Sequence, residues 1–321
     1  MNRRVKRILL FDDKYGRINS HWPYDTKNII ISDRQYYDEP EFKDSLLYKL
    51  SQKSYDAFVF SGRKAPEAAR ILDSITQNEK SVLVCNRSLR KVFKLHNTNL
   101  SCKNLETWDV KKLNRLGNDW VRAALSYPFD VLLVQTYGDC EIFNQVLNKK
   151  CAFWVPYCYN DHLFYPRNDV QKNLDIGAFF KLERHDHRIA FLDRVKKIAD
   201  KNGYSFEFSD EYWGEAYAEN ICRPKVMLHL SYCGDIPWRL YECAASKTCL
   251  LTDPLSFHVE RLFTRGKDYI EYKKDFSDLE VKITLLLDND QMREDIVENA
   301  YRKVQNYTWE RISDALIYPL L

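Results

Sequence analysis

The chain has 321 residues, with 49 Lys and Arg against 46 Asp and Glu, and 45% of its residues are hydrophobic. That length holds two domains of about 150 residues, each with its own core, and 14% aromatic content excludes a disordered chain. The net charge of +3 hides an asymmetry: residues 1–122 carry 24 basic against 15 acidic groups, +9, and the remainder 25 against 31, −6. A basic first half and an acidic second half imply different partners.

No apolar run approaches the roughly 18 residues of a membrane span, and the basic start Met1-Asn2-Arg3-Arg4 leads into a strand rather than a signal peptide. The nine cysteines occur singly, without a C-x-x-C pair, and several sit in apolar runs. They read as reduced core thiols of a cytoplasmic protein rather than as a disulfide framework or a zinc site.

In chain order, Ile8–Phe11, Ile29–Ile31, Ala57–Phe60, Val82–Cys85, Val131–Val134 and Phe153–Val155 are short β-branched or aromatic runs, as strands buried on both faces are. Helical stretches lie between them around Phe42–Leu50, Pro66–Thr76, Ser88–Leu95, Asn118–Leu125 and Glu141–Leu147. This alternation predicts an α/β fold with a parallel, doubly wound sheet, whose ligands bind beyond the carboxyl ends of the strands. After the first strand comes Asp12-Asp13-Lys14-Tyr15-Gly16-Arg17-Ile18-Asn19-Ser20-His21, rich in groups for acid/base work. Strand-end acids and loop histidines are usually just solvated. Ser61-Gly62-Arg63-Lys64 follows the third strand and suits an anionic acceptor or a plain basic loop. Arg87, Arg90, Lys91 and Lys94 repeat at helical spacing opposite Leu89, Val92 and Phe93. Such a basic amphipathic helix fits a headgroup layer or a phosphate backbone, or simply a solvated face.

A second domain restarts at Leu174-Asp175-Ile176-Gly177, followed by Lys181, Arg184 and Arg188, the last opening a helix to about Asn202. His185-Asp186-His187 lacks a fourth metal ligand, and Asp288-Asn289-Asp290 sits between two helices as a cap. Ser205–Phe208 reads as a strand and Glu215–Cys222 as a helix, and Trp213 and Trp238 could stack a nucleobase or simply pack.

Lys225 to Asp253 is the organising stretch: an apolar strand (Val226 to Leu230), a loop holding Gly234 and Asp235, a helix opening at Pro237, and a strand from Cys249 ending in Thr252-Asp253. Proline suits a first helical turn. Arg239 and Glu242 share one face near the helix start. There the amides and Arg239 attract a diphosphate, and Glu242 is placed to accept from the vicinal hydroxyls of a ribose. The competing reading is an i,i+3 surface ion pair worth a few tenths of a kcal/mol.

Arg239-x-x-Glu242, the small residues Ala244-Ala245-Ser246 and Leu250-Leu251-Thr252-Asp253 resemble the sugar-nucleotide-binding half of GT-B glycosyltransferases, closest to the spore-maturation, group 1 type. Phe153 to Pro166 looks like that family's crossing between domains, and Glu260 to Tyr272 like its following run. The resemblance covers about residues 150–315. It implies two Rossmann-like domains facing across a cleft: 1–160 on the acceptor side, 161–307 binding the nucleotide sugar, and 308–321 as a tail helix packing back on the first domain.

It further implies a metal-independent, cofactor-free glycosyltransferase with a UDP- or GDP-linked donor, retaining rather than inverting. Lys181, Arg184, Arg188, Gly234, Asp235, Arg239 and Glu242 would hold that donor, and Asp12, Asp13 or His21 would meet the acceptor, with Asp13, His21 and Arg239 as the catalytic set. The basic first half implies an anionic glycan, lipid-linked or nucleic-acid acceptor, and a peripheral membrane contact through Arg87, Arg90, Lys91 and Lys94. The alternatives are glycosylation of a nucleic acid base and a non-catalytic nucleotide-binding scaffold.

Three departures stand out. Gly234 replaces the acid that retaining members carry eight residues before Glu242, which leaves Asp235 as a substitute. Lys247 replaces a helix-ending glycine, at a cost of about 1 kcal/mol if left-handed. The first domain lacks a glycine-rich donor loop; the whole chain has 9 Gly.

Overall fold

The computed structural model describes residues 6–12, 25–26, 29–36, 57–60, 69–70, 81–85, 125, 127–134, 137–182, 186–231, 236–255 and 257–317. The chain forms two units, Met1–Tyr157 with Trp309–Leu321, and Cys158–Thr308. Among the described residues no helix is long and apolar enough to cross a membrane.

The first unit is built on a seven-stranded sheet: β1 (Lys6–Asp12), β2 (Asp25–Thr26), β3 (Ile29–Tyr36), β4 (Ala57–Phe60), β5 (Ser81–Cys85), β6 (Val131–Val134) and β7 (Ala152–Trp154). Their order is β2-β3-β1-β4-β5-β6-β7. All neighbours run parallel except the antiparallel β2–β3 pair. β2 has two polar residues and no apolar pattern, so periodicity does not reveal it. Every residue of β6 is buried, as both-face burial in a parallel sheet requires.

The second unit carries β8 (Leu174–Phe179), β9 (Phe206–Ser209), β10 (Pro224–His229), β11 (Cys249–Thr252) and β12 (Ile270–Glu271) in the order β12-β11-β10-β8-β9, all parallel. Helices Asp186–Asn202, Gly214–Asn220, Trp238–Ala245, Leu279–Asp288 and Asp290–Val304 connect and follow them. The core combines Ile176 and Ala178 of β8, Val226 and Leu228 of β10 and Leu251 of β11 with Phe191, Val195, Leu279 and Ile283 of the helices. Gly177 is required by this packing: a Cβ there would lie 2.9 Å from Cγ of Pro224 on the adjacent strand.

Local signals behave as their chemistry dictates. Asn289 caps the helix Asp290–Val304 by accepting from the amide of Met292. The preceding helix, Leu279–Asp288, starts from Asp278, which gives it no side-chain cap bond. Lys247 adopts φ 50°, the left-handed conformation a glycine would take without strain. Its ammonium compensates by pairing with Glu298 and lying 4.7 Å from the centroid of the Tyr301 ring.

Candidate functional site

In both sheets the first strand lies between the second and third of its parallel set. In the second unit the chain leaves β8, crosses to β9 on one side, and returns to β10 on the other, so connections diverge beyond the carboxyl ends of β8 and β10. Open sheets bind ligands at such a switch point. The residues arriving there are Phe180 and Lys181 after β8, His229 to Ser231 at the end of β10, and the first turns of helix Trp238–Ala245.

Phe180, 6% exposed, is the floor. The guanidinium of Arg188 lies 5.1 Å and that of Arg239 5.9 Å from its ring centroid. Arg188 donates to the carbonyl of Lys181, and at 3.5 Å to that of Leu230, tying the ends of β8 and β10 together. Arg239 is oriented differently. Its Nε donates to the Tyr217 hydroxyl at 3.0 Å, and one terminal nitrogen is 3.4 Å from His229 Nδ1. A guanidinium has no acceptor, so Nδ1 accepts and the imidazole proton sits on Nε2.

The Tyr217 hydroxyl donates in turn to Glu242 Oε2 at 2.9 Å. Arg239 and Glu242 are both half-buried, and they do not form the direct i,i+3 ion pair that competes with a ligand role; the phenol stands between them. Burial raises the Glu242 carboxyl above its usual range, opposed by the Arg239 charge and the Tyr217 bond. Burial also pushes the Tyr217 phenol well up, so it stays a donor.

Beside this group, Asp253 at the end of β11 accepts from the amide of Ser231 at 2.7 Å, from the Ser231 hydroxyl and from Thr252 Oγ1 at 3.2 Å. This fixes the backbone just past β10, and burial pushes the Asp253 carboxyl up to about 6. Tyr272 adds a hydrogen bond of 2.7 Å to the carbonyl of His229. Lys181 lies 4.7 Å from the ring centroid of Trp213, which is 66% exposed at the start of helix Gly214–Asn220.

Of the residues singled out in the sequence, the fold thus gathers Lys181, Arg188, Arg239 and Glu242 at one sheet end. Asp13, His21, Arg184, Gly234 and Asp235 lie outside the described residues, as do Arg87, Arg90, Lys91 and Lys94, and Asp12 is described only as the last residue of β1. Tyr217, Phe180, His229 and Ser231 escape sequence reasoning. For Tyr217 the available signal is its position one helical turn after Trp213. Among the described residues no group of three or more His, Cys, Asp or Glu could hold a metal ion.

Residues 188–317 match the sequence model of a family described as glycosyl transferase-like. No curated protein sequence matches the chain. Among solved structures, HepE of Anabaena in complex with UDP-glucose is similar with a TM-score of 0.63 at 12% identity, over 98% of this chain and 99% of that one. Sucrose-phosphate synthase from Thermosynechococcus elongatus gives 0.62 at 14%, over 96% of each chain. A glycosyltransferase from Rickettsia africae gives 0.56 at 12%, over 99% and 98%. The chain has the GT-B fold of two Rossmann-like domains, and its C-terminal half resembles the group 1 glycosyltransferases.

Proposed function

We propose that this protein is a glycosyltransferase that takes a sugar from a UDP-linked donor and moves it to an acceptor hydroxyl. The observation that carries the reading is the Arg239–Tyr217–Glu242 group at the switch point of the second sheet. Two further facts support it: the glycosyl transferase-like match over the same elements and the UDP-glucose bound in the HepE relative.

In this reading the diphosphate lies against the first turn of helix Trp238–Ala245, where the capping residue Pro237 supplies no side-chain hydrogen bond of its own. The first-turn amides, the helix dipole and the outer edge of Arg239 take up negative charge there. Lys181, held over Trp213, adds a second cation. Glu242 accepts from the ribose hydroxyls through Oε1, which no described residue engages. As the glycosidic bond breaks, the bond electrons pass to the diphosphate, and these fixed charges stabilise the leaving group without reorganisation. Arg188 holds the ends of β8 and β10 in register for that contact.

The reading includes retention of anomeric configuration, which the proton coupling of the first-formed product reports, and an anionic acceptor drawn to the +9 first half. It is tested by thermal shift and calorimetry with UDP, UDP-sugars and GDP. UDP at 100 times its dissociation constant adds about 2.7 kcal/mol of stability. Failure of every nucleoside diphosphate to bind overturns the assignment.

A further inference from the structure

We infer that Tyr217 is a positioning residue for the donor: its hydroxyl is a wedge that keeps Arg239 and Glu242 from neutralising each other and holds them as two separate ligand groups. The inference rests on the proposed nucleotide site and adds the element that makes it usable. Residues three apart on a helix are neighbours. Without an intervening group, an arginine and a glutamate at these positions swing together into an ion pair. That pair would turn the guanidinium toward the helix and fill the carboxylate with the partner meant for a ligand.

The phenol prevents this by satisfying both at once. It accepts from Arg239 Nε, the inner nitrogen, at 3.0 Å and donates to Glu242 Oε2 at 2.9 Å. Each partner uses only part of its valence: with Nη1 facing His229 Nδ1, Arg239 keeps Nη2, and Glu242 keeps Oε1. The ring is itself held, packed edge-on against Phe164 at 5.9 Å between centroids and lying 5.6 Å from the Arg239 guanidinium carbon. It arrives from a different helix, Gly214–Asn220, so its placement depends on the packing of that helix and not on the local conformation of Trp238–Ala245.

The test separates the two ligand arms by comparing UDP, which carries a ribose and a diphosphate, with uridine, which carries the ribose alone. The ratio of their affinities reports the diphosphate arm. Tyr217→Phe keeps the ring and removes the wedge, and should lower that ratio about tenfold, the size of one charge-assisted contact. Glu242→Gln should weaken UDP and uridine by the same factor and keep the ratio, because the phenol still orients Arg239. In the Glu242→Gln background Tyr217→Phe should then lower the ratio much less, since no carboxylate remains to capture the guanidinium.

An unchanged ratio in Tyr217→Phe, or an equal fall in both backgrounds, overturns the wedge. Should Tyr217→Phe fail to fold, Glu242→Gln alone decides, because a fall in its ratio means that the carboxylate itself places Arg239. Wild-type protein that binds no UDP removes the nucleotide site and the wedge together; wild type that binds UDP while the ratio stays fixed removes the wedge alone.

Discussion

The two ends of the second sheet treat polar side chains in opposite ways. At the amino end Asp175, Arg223 and Lys172 are each closed into a joint. Asp175 at the start of β8 takes Lys225 of β10 at 2.8 Å and both the amide and hydroxyl of Ser205 at 2.9 Å. Arg223, just before β10, holds Glu207 of β9 at 2.9 Å and Asn220 at 2.7 Å. Lys172 donates to the carbonyl of Pro224 at 3.1 Å and to Thr248 at 2.8 Å. At the carboxyl end the Arg239–Tyr217–Glu242 group leaves valence on both charged members. A sheet end whose polar groups are all closed contributes to the fold, whereas one with spare valence is built to meet something else.

The largest expected effect concerns Asp253, the closed joint at the otherwise open end. Its folded carboxyl is pushed up to about 6 from an ordinary 3.8. The folded state therefore binds more protons than the unfolded state between those values, and Asp253 costs stability as pH rises through that window. Relative to Asp253→Asn, the wild type should lose about 2 kcal/mol between pH 4 and pH 7, read from denaturant unfolding of both proteins. A constant difference across that range removes the carboxylate from the ledger.

Next in size, Arg239→Ala should weaken UDP about tenfold or more, the loss of a charge-assisted contact, with a melting temperature close to wild type. A large drop in melting temperature with unchanged UDP affinity would make Arg239 a closed joint after all. Asp175→Ala should do the reverse, costing about 1 kcal/mol of stability for a partly exposed pair with its hydrogen bonds while leaving UDP affinity unaltered. Loss of UDP binding in that variant would erase the contrast between the ends. The smallest effect belongs to Lys247. Relief of left-handed strain favours Lys247→Gly by about 1 kcal/mol, offset by the lost Glu298 and Tyr301 contacts. The same substitution in a Glu298→Ala background should therefore be the more stabilising of the two in a denaturant titration.

The closed and open ends were not equally legible in the sequence. Runs such as Ala57–Phe60 and Val131–Val134 coincide with β4 and β6, and β6, where all four residues are buried, shows why: a strand buried on both faces must be apolar throughout. Arg239 and Glu242 could be paired by eye because their separation is set by helical geometry alone. Tyr217 could not: its partners are 22 and 25 residues away on another helix, and only tertiary packing brings the three together. Caps show the same limit on a small scale. Asn289 follows from its place between two helices, whereas Asp278, at the start of Leu279–Asp288, gives that helix no side-chain cap bond and accepts instead from the amide of Lys273.

The division of the chain carries a consequence for biosynthesis. The second unit is one uninterrupted stretch, Cys158–Thr308, but the first joins Met1–Tyr157 to Trp309–Leu321. On the ribosome the earlier-made portion must wait for its closing piece until the whole of the later portion has been translated. The half that emerges second is thus the first whose sequence is complete.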